Sequence, residues 1–179
     1  MAKVLYSATM SLDGFIAGPG GDMSWLTEFQ AADPIVDEVV SQIGAILVGR
    51  RTFDGDDPNR GTDKEGAFGG AWDGPQIVLT HRLPVTAAPG CTFVDDLGGA
   101  VALAREAAGA GYVNILGADV ARQCLEAGLV DEVLVFVAPV LLGDGTRLFT
   151  HRGGATVRLD PIRTGTAATI TWLWLRVSG

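Results

Sequence analysis

Short apolar runs alternating with helix-period segments constrain this chain most. Val4 to Ala8, Ala45 to Val48, Gln76 to Thr80, Thr92 to Val94 and Tyr112 to Leu116 read as strands. Asp33-Pro34 supplies an N-cap followed by proline at the first helical position. Ile35, Val36, Val39, Val40 and Ile43 then recur at helical spacing, and Gly44 is placed as the C-cap. Leu97 to Ala108 and Asp119 to Ala127 read as further helices, the second stopped by Gly128. Such alternation predicts an α/β fold with a largely parallel sheet. After Glu132 the pattern changes, because Val133 to Val137, Thr156 to Leu159 and Ala168 to Val177 follow as strands with no helix between them. The sheet is therefore expected to be mixed, with an antiparallel C-terminal part. No repeat, low-complexity tract or linker divides the chain, so residues 1–179 read as one domain.

Charge narrows the partners. Thirteen Lys and Arg residues against 21 Asp and Glu give a formal net charge of -8, and no basic run offsets it. That balance disfavours a nucleic-acid or anionic-membrane binder. Cys91 and Cys124 form neither a disulfide framework nor a metal or redox spacing, and no long apolar segment leads the chain, so a soluble, cytoplasmic protein is expected. His81 and His151 are too few and badly spaced for a metal site.

Three apolar runs end directly in small or basic residues: Ile46-Leu-Val-Gly-Arg-Arg-Thr52, Ile77-Val-Leu-Thr-His-Arg82 and Ile115-Leu-Gly-Ala-Asp-Val120. Carboxyl ends of strands in open α/β sheets are where ligands bind, and helix N-termini with arginine forks favour phosphate oxygens. Three such ends point to a dinucleotide site. Neither GxGxxG nor GxxxxGK[ST] occurs, which disfavours an ordinary Rossmann or P-loop protein. The 25 glycines point to many tight turns or to backbone that must approach a ligand closely.

The series Ser11-Leu-Asp-Gly-Phe-Ile-Ala17, Gly49-Arg-Arg-Thr-Phe53, Val78-Leu-Thr-His-Arg82, Leu116-Gly-Ala-Asp119, Gly128-Leu-Val-Asp-Glu132 and Pro139-Val-Leu-Leu-Gly-Asp-Gly-Thr-Arg-Leu-Phe149 resembles the dihydrofolate reductase-like family. The likeness is to the group containing the reductase domain of riboflavin biosynthesis. It implies a three-layer fold, with helices on both faces of a mixed, mostly parallel sheet, and an NADPH-dependent reductase. By that resemblance Arg50 contacts the adenosine 2'-phosphate and Thr52 the pyrophosphate, with Gly49 and Arg51 beside them. Thr80, His81 and Arg82 flank the adenosine end, and Gly117, Ala118, Asp119, Val120 and Ala121 meet the pyrophosphate. Ile16 and Ala17 lie beside the nicotinamide. Asp119 is read as an N-cap turned to the backbone, and Gly117-Ala118 departs from the Gly-Gly pair common in the family.

Asp13 faces the substrate pocket in the family, and a carboxyl desolvated there would have a raised pKa suited to proton delivery. Asp-Gly is equally an ordinary turn dipeptide. Trp25 and Glu28 are candidates for substrate binding, and Asp33 competes with Glu28 for the acidic position. Trp172 and Trp174 share strand parity and cover either a sheet face or a dimer contact. The leading expectation is hydride transfer to a small planar heterocycle, pterin- or pyrimidine-like, or a related imine or carbonyl. A stand-alone riboflavin-pathway reductase, lacking the H-x-E and P-C-x-x-C deaminase motifs, is the close alternative, with phosphate contacts from Arg147, Arg152 or the Arg60 and Lys64 segment. A non-catalytic NADPH sensor is the third. Dimeric relatives make a homodimer through the C-terminal sheet an expectation.

Overall fold

A computed structural model describes residues 1–29, 33–55, 57, 59–84, 86 and 89–178. Its sheet contains β1 (Val4–Ser11), β3 (Ile43–Gly49), β4 (Gln76–Leu79), β5 (Cys91–Val94), β6 (Tyr112–Leu116), β7 (Glu132–Ala138), β9 (Arg158–Ala167) and β10 (Ile170–Ser178). A separate two-stranded ribbon pairs β2 (Phe15–Ala17) with β8 (Thr146–Arg147). The main order is β5-β4-β3-β6-β1-β7-β10-β9, parallel from β5 to β7 and antiparallel beyond it. The mixed, mostly parallel sheet with an antiparallel end is as the sequence predicts.

Helices cover both faces. On one face α3 (Leu97–Ala108) and α4 (Ala118–Glu126) bury Ala100, Val101, Ala104, Val120, Ala121 and Cys124 against Val4, Tyr6, Leu47 and Ile115. On the other, α1 (Pro34–Gln42) sets Ile35 and Val39 against Leu5, Ile46 and Leu134. Each such fully buried branched side chain contributes roughly 1.5–3 kcal/mol. Asp33 caps α1 by accepting from the Ile35 N–H at 3.1 Å. The expected C-cap at Gly44 is corrected: β3 begins at Ile43, and Gly44 lies within it, where any Cβ would strike the Ala108 backbone at the end of α3.

The strand expected at Thr156–Leu159 is also corrected. The observed β9 runs to Ala167 and turns at Ala168, whose φ is 50°, into β10. Pro161 and a run of solvent-exposed residues fit an edge strand, which leaves no alternating apolar signal to read. Trp174 is buried on the α1 face, its Nε1 donating to Glu132 Oε2 at 2.7 Å, and the Arg163 guanidinium lies over both Trp172 and Trp174. These tryptophans therefore cover their own sheet. No helix of the described residues is long and apolar enough to cross a membrane.

Candidate active site

Two chain turns meet at the carboxyl ends of the neighbouring strands β3 and β6, which pair through Val48 and Leu116. Gly49 opens α2 (Arg50–Phe53) and Gly117 opens α4. Gly117 has φ 99° and ψ 137°, and a Cβ there would collide with the Thr52 hydroxyl. A Cβ on Gly49 would come within 2.9 Å of Val120 Cγ2. Each glycine thus makes room for a side chain of the opposite turn. Neither helix start carries a side-chain cap, so first-turn N–H groups of both are left for another partner. The Gly117–Ala118 peptide is trans.

Along these ends runs a cleft of about 2530 Å³. Among the described residues, five of the 13 basic side chains are held by carboxylates: Lys3, Arg50, Arg105, Arg122 and Arg163. Of the remaining eight, Arg51, Arg60, Lys64, Arg82, Arg147 and Arg152 all line the cleft. Eight carboxylates share the lining, so these cations offer local anion contacts rather than a uniformly basic field.

On the α1 side the cleft floor is apolar, formed by Val36, Val40, Val48, Phe53 and Phe136 around the hydroxyls of Ser7 and Thr9. Ser7 Oγ donates to the fully buried Asn114 Oδ1 at 2.7 Å. An apolar slot with few polar groups at its base suits a flat heterocycle. The described part of the segment from residue 54 to 74 lines the cleft as well. Within it Ala67, Phe68 and Trp72 pack on the core, and Trp72 Nε1 donates to the Ile43 carbonyl at 3.0 Å.

The β2–β8 ribbon rises from the ends of the adjacent strands β1 and β7 as a flap. Asp13 ties it down. Its Oδ1 accepts from Ser11 Oγ at 2.5 Å and the Leu142 N–H at 3.1 Å, and its Oδ2 from the Gly143 N–H at 2.7 Å. The Ser11 hydroxyl and these backbone donors lower its pKa to about 2. This corrects the expectation of a raised pKa, because hydrogen bonds to the charged form outweigh desolvation. The Asp13 carboxylate also lies outside the cleft lining, and a group ionised so firmly is a poor proton donor near neutrality.

Residues 2–170 match the model of the RibD C-terminal domain family. The chain belongs to that family. A Bacillus subtilis (strain 168) protein, the uncharacterized YyaP, is 26% identical over 159 residues, covering 82% of this chain and 80% of that protein. A solved putative riboflavin biosynthesis protein from Shewanella sp. PV-4 superposes with a TM-score of 0.75 at 22% identity, each chain covered in full. The diaminohydroxyphosphoribosylaminopyrimidine deaminase/5-amino-6-(5-phosphoribosylamino)uracil reductase of Thermotoga maritima gives 0.68 at 17% identity, over 99% of this chain and 57% of that one. At these identities the structural likeness is one of fold.

Of the residues expected from the sequence, this RibD C-terminal domain brings Ile16, Ala17, Gly49, Arg50, Arg51 and Thr52 to the cleft. Thr80, His81, Arg82, Gly117, Ala118, Asp119, Val120 and Glu28 line it too. Three do not. Asp13 anchors the flap, Ala121 is wholly buried on the core face of α4, and Trp25 turns away to pack against Phe29 with ring centroids 6.2 Å apart. Asp119 lines the cleft but is not an N-cap. That position is Gly117, and the Asp119 carboxylate accepts from Arg122 and Gln123, the Arg122 bond above all holding its pKa low. Arg50 is paired with Asp54 and lies over the Phe93 ring. Thr80 Oγ1 accepts from the Arg82 N–H at 3.1 Å, fixing the turn after β4. Sequence reading missed Ser7 and Thr9. Their signal was a hydroxyl at alternate positions of an otherwise apolar central strand.

Proposed function

We propose that this protein is an NADPH-dependent reductase of a small planar nitrogen heterocycle or a related imine or carbonyl. The observation that carries the reading is the cleft itself, where uncapped helix starts, a glycine that yields its Cβ space to Thr52 and most unpaired cations converge on an apolar slot. Those residues fit a dinucleotide. Thr52, Gly117 and the first turn of α4 would hold the pyrophosphate, and Arg50, Arg51, His81 and Arg82 the adenosine end with its extra phosphate. Ile16 and Ala17 would flank the nicotinamide, and Ser7 and Thr9 would orient the substrate ring. The cofactor supplies the hydride, while the protein supplies orientation and a dry slot. Asp13 is assigned to holding the flap.

The test is a thermal-shift titration. NADPH at a hundredfold over its Kd should stabilise the protein by about 2.7 kcal/mol, with NADH weaker at equal concentration. No stabilisation by millimolar NADPH would overturn the reading. A riboflavin-pathway reductase acting on a ribosylated aminouracil phosphate is the second reading, favoured by the cations left over once the cofactor's share is assigned. NADPH oxidation with that substrate separates it from a non-catalytic sensor, which would bind NADPH without turnover. We also place the protein in the cytoplasm, as one domain over residues 1–179. It would pair as a homodimer through the exposed β9 edge, which sedimentation of the purified protein would test.

A further inference from the structure

We propose that Asn114 is a positioning residue that makes the Ser7 hydroxyl a fixed hydrogen-bond acceptor at the base of the slot, and that the ring reduced there docks a lactam or imide N–H on it. The inference rests on the reductase reading and specifies its substrate. Asn114 lies on β6 between its register partners, Leu5 of β1 and Ile46 of β3. Both partners belong to the core on the α1 side, so the Asn114 side chain is on that face. Ser7, two residues after Leu5, shares the face and stands one step nearer the strand ends, where it lines the cleft.

Asn114 is fully buried, and the core on its face holds Leu5, Ile46 and Leu134, whose side chains offer no hydrogen bond. Among the described residues its Nδ2 has no partner. A leucine of similar volume would fill the space with no polar group to desolvate. Packing alone therefore gives no reason for an amide here. Its one side-chain bond among the described residues is the one Ser7 Oγ donates to Oδ1, at 2.7 Å.

That bond decides what Ser7 shows a ligand. A hydroxyl has one hydrogen and two acceptor sites. The hydrogen is committed to Asn114, so only lone pairs face the slot. Val48, Leu116 and Phe136 line the cleft around this point with apolar surface, where a matched hydrogen bond is strengthened and an unmatched polar group is costly. A ring N–H pairs with Oγ. An imine nitrogen or a carbonyl oxygen in the same place would set lone pair against lone pair. The reducible C=N or C=O bond is thereby kept away from Ser7, which gives the ring one favoured orientation.

The test titrates NADPH-saturated protein with uracil and with lumazine, and with the 1,3-dimethyl form of each, in which methyl groups replace the ring N–H hydrogens. Wild type should bind at least one parent ring about tenfold or more tightly than its dimethyl form. Ser7→Ala should erase that preference, and Asn114→Leu, which frees the hydroxyl to rotate, should shrink it. Because Ser7→Ala strands the Asn114 amide, the double variant Ser7→Ala/Asn114→Leu serves as a second measurement; it buries no orphaned polar atom and should show no preference either. NADPH affinity should match wild type in all three variants. Dimethyl rings that bind as tightly as their parents would place the Ser7 hydrogen in the slot and overturn the proposal. An unchanged preference in Ser7→Ala, or no binding of either parent ring at millimolar concentration, would overturn it too. Absence of NADPH binding would instead sink the reductase reading, and the preference for N–H would then be read on the free protein.

Discussion

Thr52 and Gly117 share one volume at the mouth of the cleft, the threonine side chain sitting where residue 117 would carry its Cβ. Gly117 holds φ 99° to keep that space open. Two helix starts are thereby brought closer than any pair of ordinary residues allows, and both present uncapped N–H groups.

Gly117→Ala should therefore damage binding and folding together. The conformation alone costs about 1–3 kcal/mol for a residue with a Cβ, and the collision moves Thr52. Thermal unfolding with and without NADPH would read a lower Tm and a smaller ligand-induced shift. A variant that keeps both wild-type values would show that the close fit has no part in binding.

Arg50→Ala should weaken NADPH more than NADH. Loss of one charge-assisted contact amounts to about 1.5–3 kcal/mol. Fluorescence titration with each cofactor provides the comparison, and equal losses would move the 2'-phosphate contact to another residue, with the unpaired Arg51 and Arg82 next in line.

Asp13→Asn should leave the shape of the pH profile of kcat/KM intact between pH 5 and 8. The Asp13 pKa is lowered from 3.8 to about 2, so its carboxylate is charged throughout that range. What it contributes to stability is complete above its unfolded value and is lost as pH falls toward 2. If the variant erased a titrating limb near neutrality, Asp13 would be a proton carrier after all.

Glu132 carries a different expectation, since it lies buried at the opposite end of the sheet. Burial pushes its pKa up, but hydrogen bonds from Lys3, Trp174 and Tyr112 outweigh that and hold it below the usual 4.5. Its stabilisation is present above that value and fades as the pH falls through the lower folded one. Glu132→Ala should lower stability by about 2–4 kcal/mol by orphaning the indole and phenol donors. Urea unfolding at pH 7 measures the loss, and at pH 3 the gap from wild type should narrow.

Much of this was legible in the residues. Asp33-Pro34 announced α1, and the strand-to-glycine ends located the helix starts, because both are local signals of cap and turn chemistry. The rest depends on distant partners. That Thr52 meets Gly117 cannot be read from either segment, and Asp13 accepts from amides some 130 residues away, so its carboxylate looked free for chemistry. Likewise β9 gave no apolar alternation because it lies at an edge, and Gly44 resembled a helix stop because its need for space comes from α3.

The sheet order bears on how the polypeptide is made. Val4 in β1 pairs with Val113, and Leu5 pairs with Glu132, so a central strand finds its neighbours only after more than a hundred further residues. At about 5–20 residues per second, a ribosome needs roughly 5–20 s to deliver them. During that interval the apolar run Val4-Leu5-Tyr6 lacks the lateral partners it has in the finished sheet, the condition under which a strand is most open to pairing with others like itself.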